Sequence, residues 1–140
     1  MKVSEIMSRD VQVARPDESI QSVAKRMKEI DVGSLPVCDG DKVQGVVTDR
    51  DIAIRAVAEG RSFESAVSDI MTPDVEYVFD DDDAAEAADR MADSQIRRLP
   101  VVDRDKRLVG ILALGDLTGK IKDRKTGQTL EEISEPTRSI

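Results

Sequence analysis

Thr48-Asp49-Arg50-Asp51 is the segment whose residue types and order could do chemistry. A strand, Val43 to Thr48, leads into it, and Ile52, Ile54, Ala56 and Val57 follow, so it stands where a strand ends and a helix begins. The free N–H groups of a helix start favour an anionic oxygen. A Thr hydroxyl there can donate to a phosphate, and a carboxylate one turn into the helix can accept both hydroxyls of a ribose. The same residues have a plainer use, because Thr48 or Asp49 can cap the helix while Asp51 stabilises its dipole. Arg97-Arg98 offers the next feature, two adjacent cations directly before Leu99-Pro100-Val101. They can clamp a phosphate or simply balance an acidic surface. Asp80 to Asp83 has the composition of a metal site. It stands just before a helix, however, and lacks the spaced ligands and central Gly of a calcium loop, so it reads as cap and solvated surface.

Other chemistries are excluded by what the chain lacks. It has no histidine, so imidazole acid–base catalysis, imidazole metal ligation and an unperturbed switch near neutral pH are absent. It has no Cys–His or Ser–His pair, no Walker glycine loop and no G-x-G-x-x-G, and we expect no enzyme. Its one cysteine, Cys38, allows no intrachain disulfide and reads as a buried, inert thiol. A net charge of -8 argues against general nucleic-acid binding, and three aromatics (Phe63, Tyr77, Phe79) are too few for a base-stacking platform. No apolar run approaches the roughly 20 residues of a membrane span. The opening residues lack a signal-peptide pattern, so a cytoplasmic protein without membrane contact is expected.

The elements that must hold these residues come in two copies. Val3-Ser4-Glu5-Ile6-Met7 returns as Val67-Ser68-Asp69-Ile70-Met71, and Leu35-Pro36-Val37 returns as Leu99-Pro100-Val101. Gly45 and Asp51 return, after one inserted residue, as Gly110 and Asp116. A period of about 64 residues is too long for short solenoid repeats and suits two copies of a small α/β unit. Each copy reads as a helical turn (Ser4–Met7), a short strand (Val11–Ala14; Val75–Val78), a helix, a hairpin and a helix. The first long helix is capped by Asp17 or Ser19 and carries the stripe Ile20, Val23, Ala24, Met27 and Ile30; its counterpart carries Ala84, Ala87, Ala88 and Met91. The hairpins are Ser34–Cys38 with Val43–Thr48, turning at Asp39-Gly40-Asp41, and Ile96–Val102 with Leu108–Ala113. A helix from Asp49 closes at Gly60, and the last helix starts at Asp116 and runs to Ile121. The expected fold class is α+β, an α/β sandwich-like arrangement with the copies packed sheet to sheet. The expected division is 1–60, a linker at 61–66, 67–122, and a polar tail at 123–140, loosely ordered or docked on a partner.

On these motifs the chain resembles a tandem CBS-domain protein, a Bateman module, named after cystathionine β-synthase. The resemblance covers about residues 1 to 122. It rests on the paired Val-Ser-x-Ile-Met openings, on Leu-Pro-Val after the long helix, and on Gly45-Val46-Val47-Thr48-Asp49-Arg50-Asp51-Ile52. It implies two repeats related by pseudo-two-fold symmetry and an adenosine ligand in the cleft between them: AMP, ADP, ATP or sometimes S-adenosylmethionine. Carried onto this chain, it implies one site with Thr48, Arg50 and Asp51 from the first copy. The second copy would add Val75, Tyr77, Ile96, Arg97, Arg98 and Pro100.

The mirror site implied by the resemblance departs from the pattern. It has Asp116, but Ala113 stands where a hydroxyl residue is expected, and its partner side is Val11, Val13, Val32, Gly33, Ser34 and Pro36, without a cation. One nucleotide per chain, held by Asp51, is therefore expected, with a weaker second site. The resemblance also implies a regulatory module that requires no cofactor, forms a homodimer through its long helices, and signals to a protein effector by lobe or dimer rearrangement. The rival readings are a structural or stress-response dimer without nucleotide, and an S-adenosylmethionine sensor.

Overall fold

The computed structural model describes residues 1–120. The tail expected at 123–140 and the end of the last helix at Ile121 lie outside the described residues. The chain forms two compact units: Gln12–Val75, and Met1–Val11 together with the chain from Glu76 onward. Each contains helices, a three-stranded sheet and its own apolar cluster.

In the unit Gln12–Val75, Ser19 rather than Asp17 caps α1 (Ile20–Ile30), its hydroxyl accepting the Ser22 N–H at 3.1 Å. Ile20, Val23 and Met27 are buried along one face, as the spacing predicts. The stripe stops there: Ile30 is 40% exposed, because the helix ends at once in the left-handed Asp31 (φ 57°). Strands β1 (Ser34–Asp39) and β2 (Lys42–Thr48) form the expected antiparallel hairpin. Its turn passes through Gly40 at φ +63°, a conformation that glycine adopts without a Cβ penalty. A third strand, β3 (Thr72–Pro73), pairs with β2 through Gly45↔Pro73 and Val46↔Thr72. The core combines the α1 face with Ala14, Leu35, Val37, Val47, Ala56, Val67 and Ile70.

In the other unit, β4 (Val78–Phe79) runs parallel to β5 (Arg98–Val102), which pairs antiparallel with β6 (Leu108–Ala113). Helix α3 (Ala84–Ser94) buries the predicted Ala84, Ala87, Ala88 and Met91. The three small alanines let it lie close over Val78, Leu99, Val101 and Leu112, with Met91 filling the space beside them.

Each repeat's opening segment packs with the other repeat's sheet. The 3-10 turn Val3–Glu5 joins the later unit: the Val3 and Ser4 N–H groups donate to Asp82 and Asp80 carbonyls, each at 2.9 Å, and Ser8 bridges Ile111. Reciprocally, the turn Val67–Asp69 joins the unit Gln12–Val75, with the Val67 N–H on the Glu18 carbonyl at 2.8 Å. Glycine permits both docks. A Cβ on Gly45 would stand 2.5 Å from the Thr72 carbonyl oxygen, and one on Gly110 would stand 2.6 Å from Met7 Sδ.

Several expected elements differ. The strand Val11–Ala14 is reduced to one bridge, Ala14↔Val37, and Val75–Val78 is replaced by Val78–Phe79, whose partners lie on β5. Ile96 lies outside β5, which starts at Arg98. The helix opening at Asp49 is one α-turn, α2 (Asp49–Asp51), continued by a π-helical stretch, Ile52–Val57, in which the Ala58 N–H reaches back to the Ala53 carbonyl. Its apolar residues divide between inside and outside: Ala56 is buried, whereas Ile54 and Val57 are 45% and 65% exposed. The last helix, α4 (Leu114–Lys120), starts two residues before Asp116.

Candidate functional site

At the end of β2, Thr48 and Asp51 form a reciprocal cap. The Asp51 N–H donates to the Thr48 hydroxyl at 3.0 Å, and the Thr48 N–H donates to Asp51 Oδ2 at 3.0 Å. The capping use foreseen for this segment is thus realised. It does not exhaust the groups, since the Thr48 hydroxyl accepts in this contact and keeps its own proton for another partner.

Asp51 is the buried charged residue of the described chain, 8% exposed. A carboxylate that deep needs partners. Besides Thr48 it has the Thr72 hydroxyl, 3.4 Å from Oδ2 and 3.5 Å from Oδ1, and Arg55 Nε, 3.7 Å from Oδ1. Arg55 also donates to the Met71 carbonyl at 3.3 Å. Neither Thr72 nor Arg55 was among the sequence candidates. Arg55 had a signal, its i,i+4 spacing from Asp51. Thr72 had none, because only the docking of β3 brings it there.

Of the remaining candidates in the unit Gln12–Val75, Gly33 and Ser34 lie at this end of the hairpin. Ser34 lies opposite Thr48 in the β1–β2 register, and the Gly33 carbonyl accepts the Asp49 N–H at 2.9 Å. A Cβ on Gly33 would be 3.1 Å from an Asp49 carboxylate oxygen, so this edge carries negative charge. Pro36 is buried; Val13, Val32 and Val75 are half-buried, and Arg50 is exposed. Beside Arg55, a groove of about 510 Å³ is lined by Ile54, Arg55, Glu59, Arg61 and Asp69, with Arg61 paired to Asp69 at 3.9 Å.

The other unit repeats the geometry with different chemistry. Arg98 lies opposite Ala113, and the Arg97 carbonyl accepts the Leu114 N–H at 2.9 Å, where the first copy has Gly33 and Asp49. Arg97 and Arg98 are exposed, Ile96 is half-buried and Pro100 is buried. Asp116 accepts the Ala113 N–H at 2.9 Å, but Ala113 has no hydroxyl to return, so the cap is half made. Val11 belongs to this unit and is half-buried. Tyr77 stands edge-on to Phe79, with ring centroids 5.7 Å apart, and the Arg104 guanidinium lies over Phe79 at 4.1 Å.

The aspartate run is accounted for locally. Asp81 takes two bonds from Arg104, at 2.6 and 3.0 Å, which hold its carboxyl below the usual range. Asp82 accepts the Phe79 N–H, and Asp83 caps α3 through the Glu86 N–H. The cap reading of this run is therefore correct.

CBS domain-containing protein YhcV of Bacillus subtilis is 38% identical over 133 residues, spanning 94% of this chain and 94% of that protein. The crystal structure of CBSX2 in complex with AMP matches with a TM-score of 0.75 and 31% identity, covering 84% of this chain and 93% of that one. The CBS domain pair of MJ0100, in complex with 5-methylthioadenosine and S-adenosyl-L-methionine, matches with a TM-score of 0.72 and 30% identity, covering 85% and 94%. The CBS domain pattern itself is met twice, at residues 3–57 and 67–123, and with its two mixed helix–strand repeats the chain belongs to the CBS-domain family.

Proposed function

We propose that this chain is a non-enzymatic regulatory module that binds an adenine nucleotide, with Asp51 taking the ribose and the Thr48 hydroxyl near the phosphate. One observation carries the reading: a carboxylate only 8% exposed, held at the end of β2 and fixed by the Thr48 cap, beside a hydroxyl whose proton is still available. The AMP complex of CBSX2 and the S-adenosylmethionine complex of the MJ0100 pair support an adenosine ligand. AMP, ADP and ATP are the ligands proposed, with Arg97 and Arg98 as the cations for their phosphates. S-adenosylmethionine is the second reading, since its adenosine half would use the same carboxylate. The exposed Ile54 and Val57 support the further proposal that helices of two chains meet in a homodimer, whose shape a protein effector reads.

Asymmetry between the copies is part of the proposal. A phosphate near Asp116 would lack the hydroxyl that Thr48 offers beside Asp51, since Ala113 has none. Hydrogen bonds to charged groups are worth about 1.5–3 kcal/mol each, so that site would be about 10- to 1000-fold weaker. Calorimetric titration with AMP, ADP, ATP and S-adenosylmethionine tests this, beside Asp51→Ala. One tight site per chain is expected, weakened about 10- to 100-fold in Asp51→Ala. Equal occupancy of two sites would refute the asymmetry. No heat with any of the four would leave the ligand-free dimer as the reading, and released phosphate would make the chain an enzyme.

A further inference from the structure

We infer that Thr72 is a specificity-determining residue of the Asp51 site, and that its hydroxyl and the Asp51 carboxylate together select a vicinal diol. The inference rests on the nucleotide reading above and adds a residue from outside the Thr48–Asp51 motif.

An ionised carboxylate has about four lone-pair directions, two on each oxygen. On Oδ2 one is taken by the Thr48 N–H at 3.0 Å; on Oδ1 one faces Arg55 Nε at 3.7 Å. One direction per oxygen remains, which is what the two hydroxyls of a vicinal diol require. The Thr72 hydroxyl is within reach of both oxygens, 3.4 Å from Oδ2 and 3.5 Å from Oδ1. It has one proton to share between them, and both distances are long for an O–H donor, which prefers about 2.7–2.8 Å. Thr72 therefore occupies the diol's place weakly and yields it to a pair of better donors. Once displaced, its proton is free for a diol oxygen, so the residue that holds the place becomes a contact.

The position is built into the fold. Thr72 is exposed and Asp51 is not, yet β3 brings them together across 21 residues of chain. The dock is tight, because only glycine at position 45 lets the Thr72 carbonyl approach so closely. The other copy lacks the arrangement: Ser8 stands at the place of Thr72, and among the described residues Asp116 accepts only the Ala113 N–H.

The test titrates AMP, 2′-deoxy-AMP and 3′-deoxy-AMP into the wild-type chain, Thr72→Val and Thr72→Ser, with circular dichroism confirming equal folding. The wild type should prefer AMP over each deoxy form by about tenfold or more. Thr72→Val, which keeps the shape and removes the hydroxyl, should lose about tenfold for AMP and little for the deoxy forms, so the preference collapses. Thr72→Ser should keep it. An unchanged preference in Thr72→Val, equal weakening for all three ligands, or loss of the preference in Thr72→Ser would each overturn the inference while leaving the nucleotide reading intact. A wild-type chain that binds none of the three would overturn both.

Discussion

Cys38 holds its proton unusually hard. Burial in β1, with the nearby Asp41 charge adding to it, pushes the thiol from an ordinary 9.0 up to about 11. Thiolate is the reactive form, so native Cys38 should react with thiol reagents far more slowly than the urea-unfolded chain does at pH 8. The same shift sets a pH dependence. Above pH 9 the unfolded thiol is ionised while the folded one stays protonated, so the native state binds the extra proton. Its contribution to stability is complete below pH 9 and is lost as pH rises through about 11. Urea midpoints measured from pH 8 to 10.5 should therefore fall, and Cys38→Ala should remove that part of the fall. Much at this scale was legible in the sequence: a lone cysteine in an apolar run, and a Thr-x-x-Asp box that caps a helix whatever else it does. Thr72 was not legible, because an exposed hydroxyl just before a proline acquires meaning only from a tertiary contact.

At the scale of elements, the helical stripes of α1 and α3 and both hairpins followed from periodicity, since each buries one face on its own neighbour in sequence. The stretch Ile52–Val57 was read only as ordinary helix; its π-helical winding, with Ala56 buried and Ile54 and Val57 exposed, has no signature in its apolar residues. Strand β3 carried no pattern at all: two residues, one of them proline, have no alternation to read. Its existence depends on a glycine opposite. In Gly45→Ala the new Cβ would meet the Thr72 carbonyl oxygen at 2.5 Å and Met71 Sδ at 3.0 Å. A backbone carbonyl cannot swing aside as a side chain does, so β3 must leave β2. A loss of about 1–3 kcal/mol in urea unfolding is expected, as for other overpacked sites. Nucleotide affinity should fall with it if Thr72 contributes. Gly110→Ala meets Met7 Sδ at 2.6 Å and the Ser8 carbonyl at 2.8 Å, and should cost a similar amount without touching the Asp51 carboxylate.

At the scale of the whole chain, the repeat was visible from the first residues, but the allocation of its pieces was not. Self-similarity reveals which segments are alike; it does not reveal which copy each segment packs against. The exchange of opening segments gives the first residues a role far from their place in sequence. Val3 is fully buried and Ile6 is 5% exposed, both in the cluster that includes Val78, Met91, Leu99 and Leu117. Burying two such side chains contributes about 1.5–3 kcal/mol each. Removing residues 1–8 also orphans the Asp80 and Asp82 carbonyls that accept the Ser4 and Val3 N–H groups, and takes the Ser8–Ile111 bridge from the edge of β6. The summed loss, about 3–6 kcal/mol from the side chains alone, is comparable to a domain's entire stability of about 5–15 kcal/mol. Hydrogen exchange on the truncated chain should therefore show α3, β5 and β6 losing protection, although none of them was cut. The amides of α1, β1 and β2 should stay protected, because their core draws on Val67 and Ile70 and on nothing before Ala14. Equal loss in both sets would mean that the two cores unfold as one; loss confined to residues 9–30 would mean that the opening segment serves its own repeat after all.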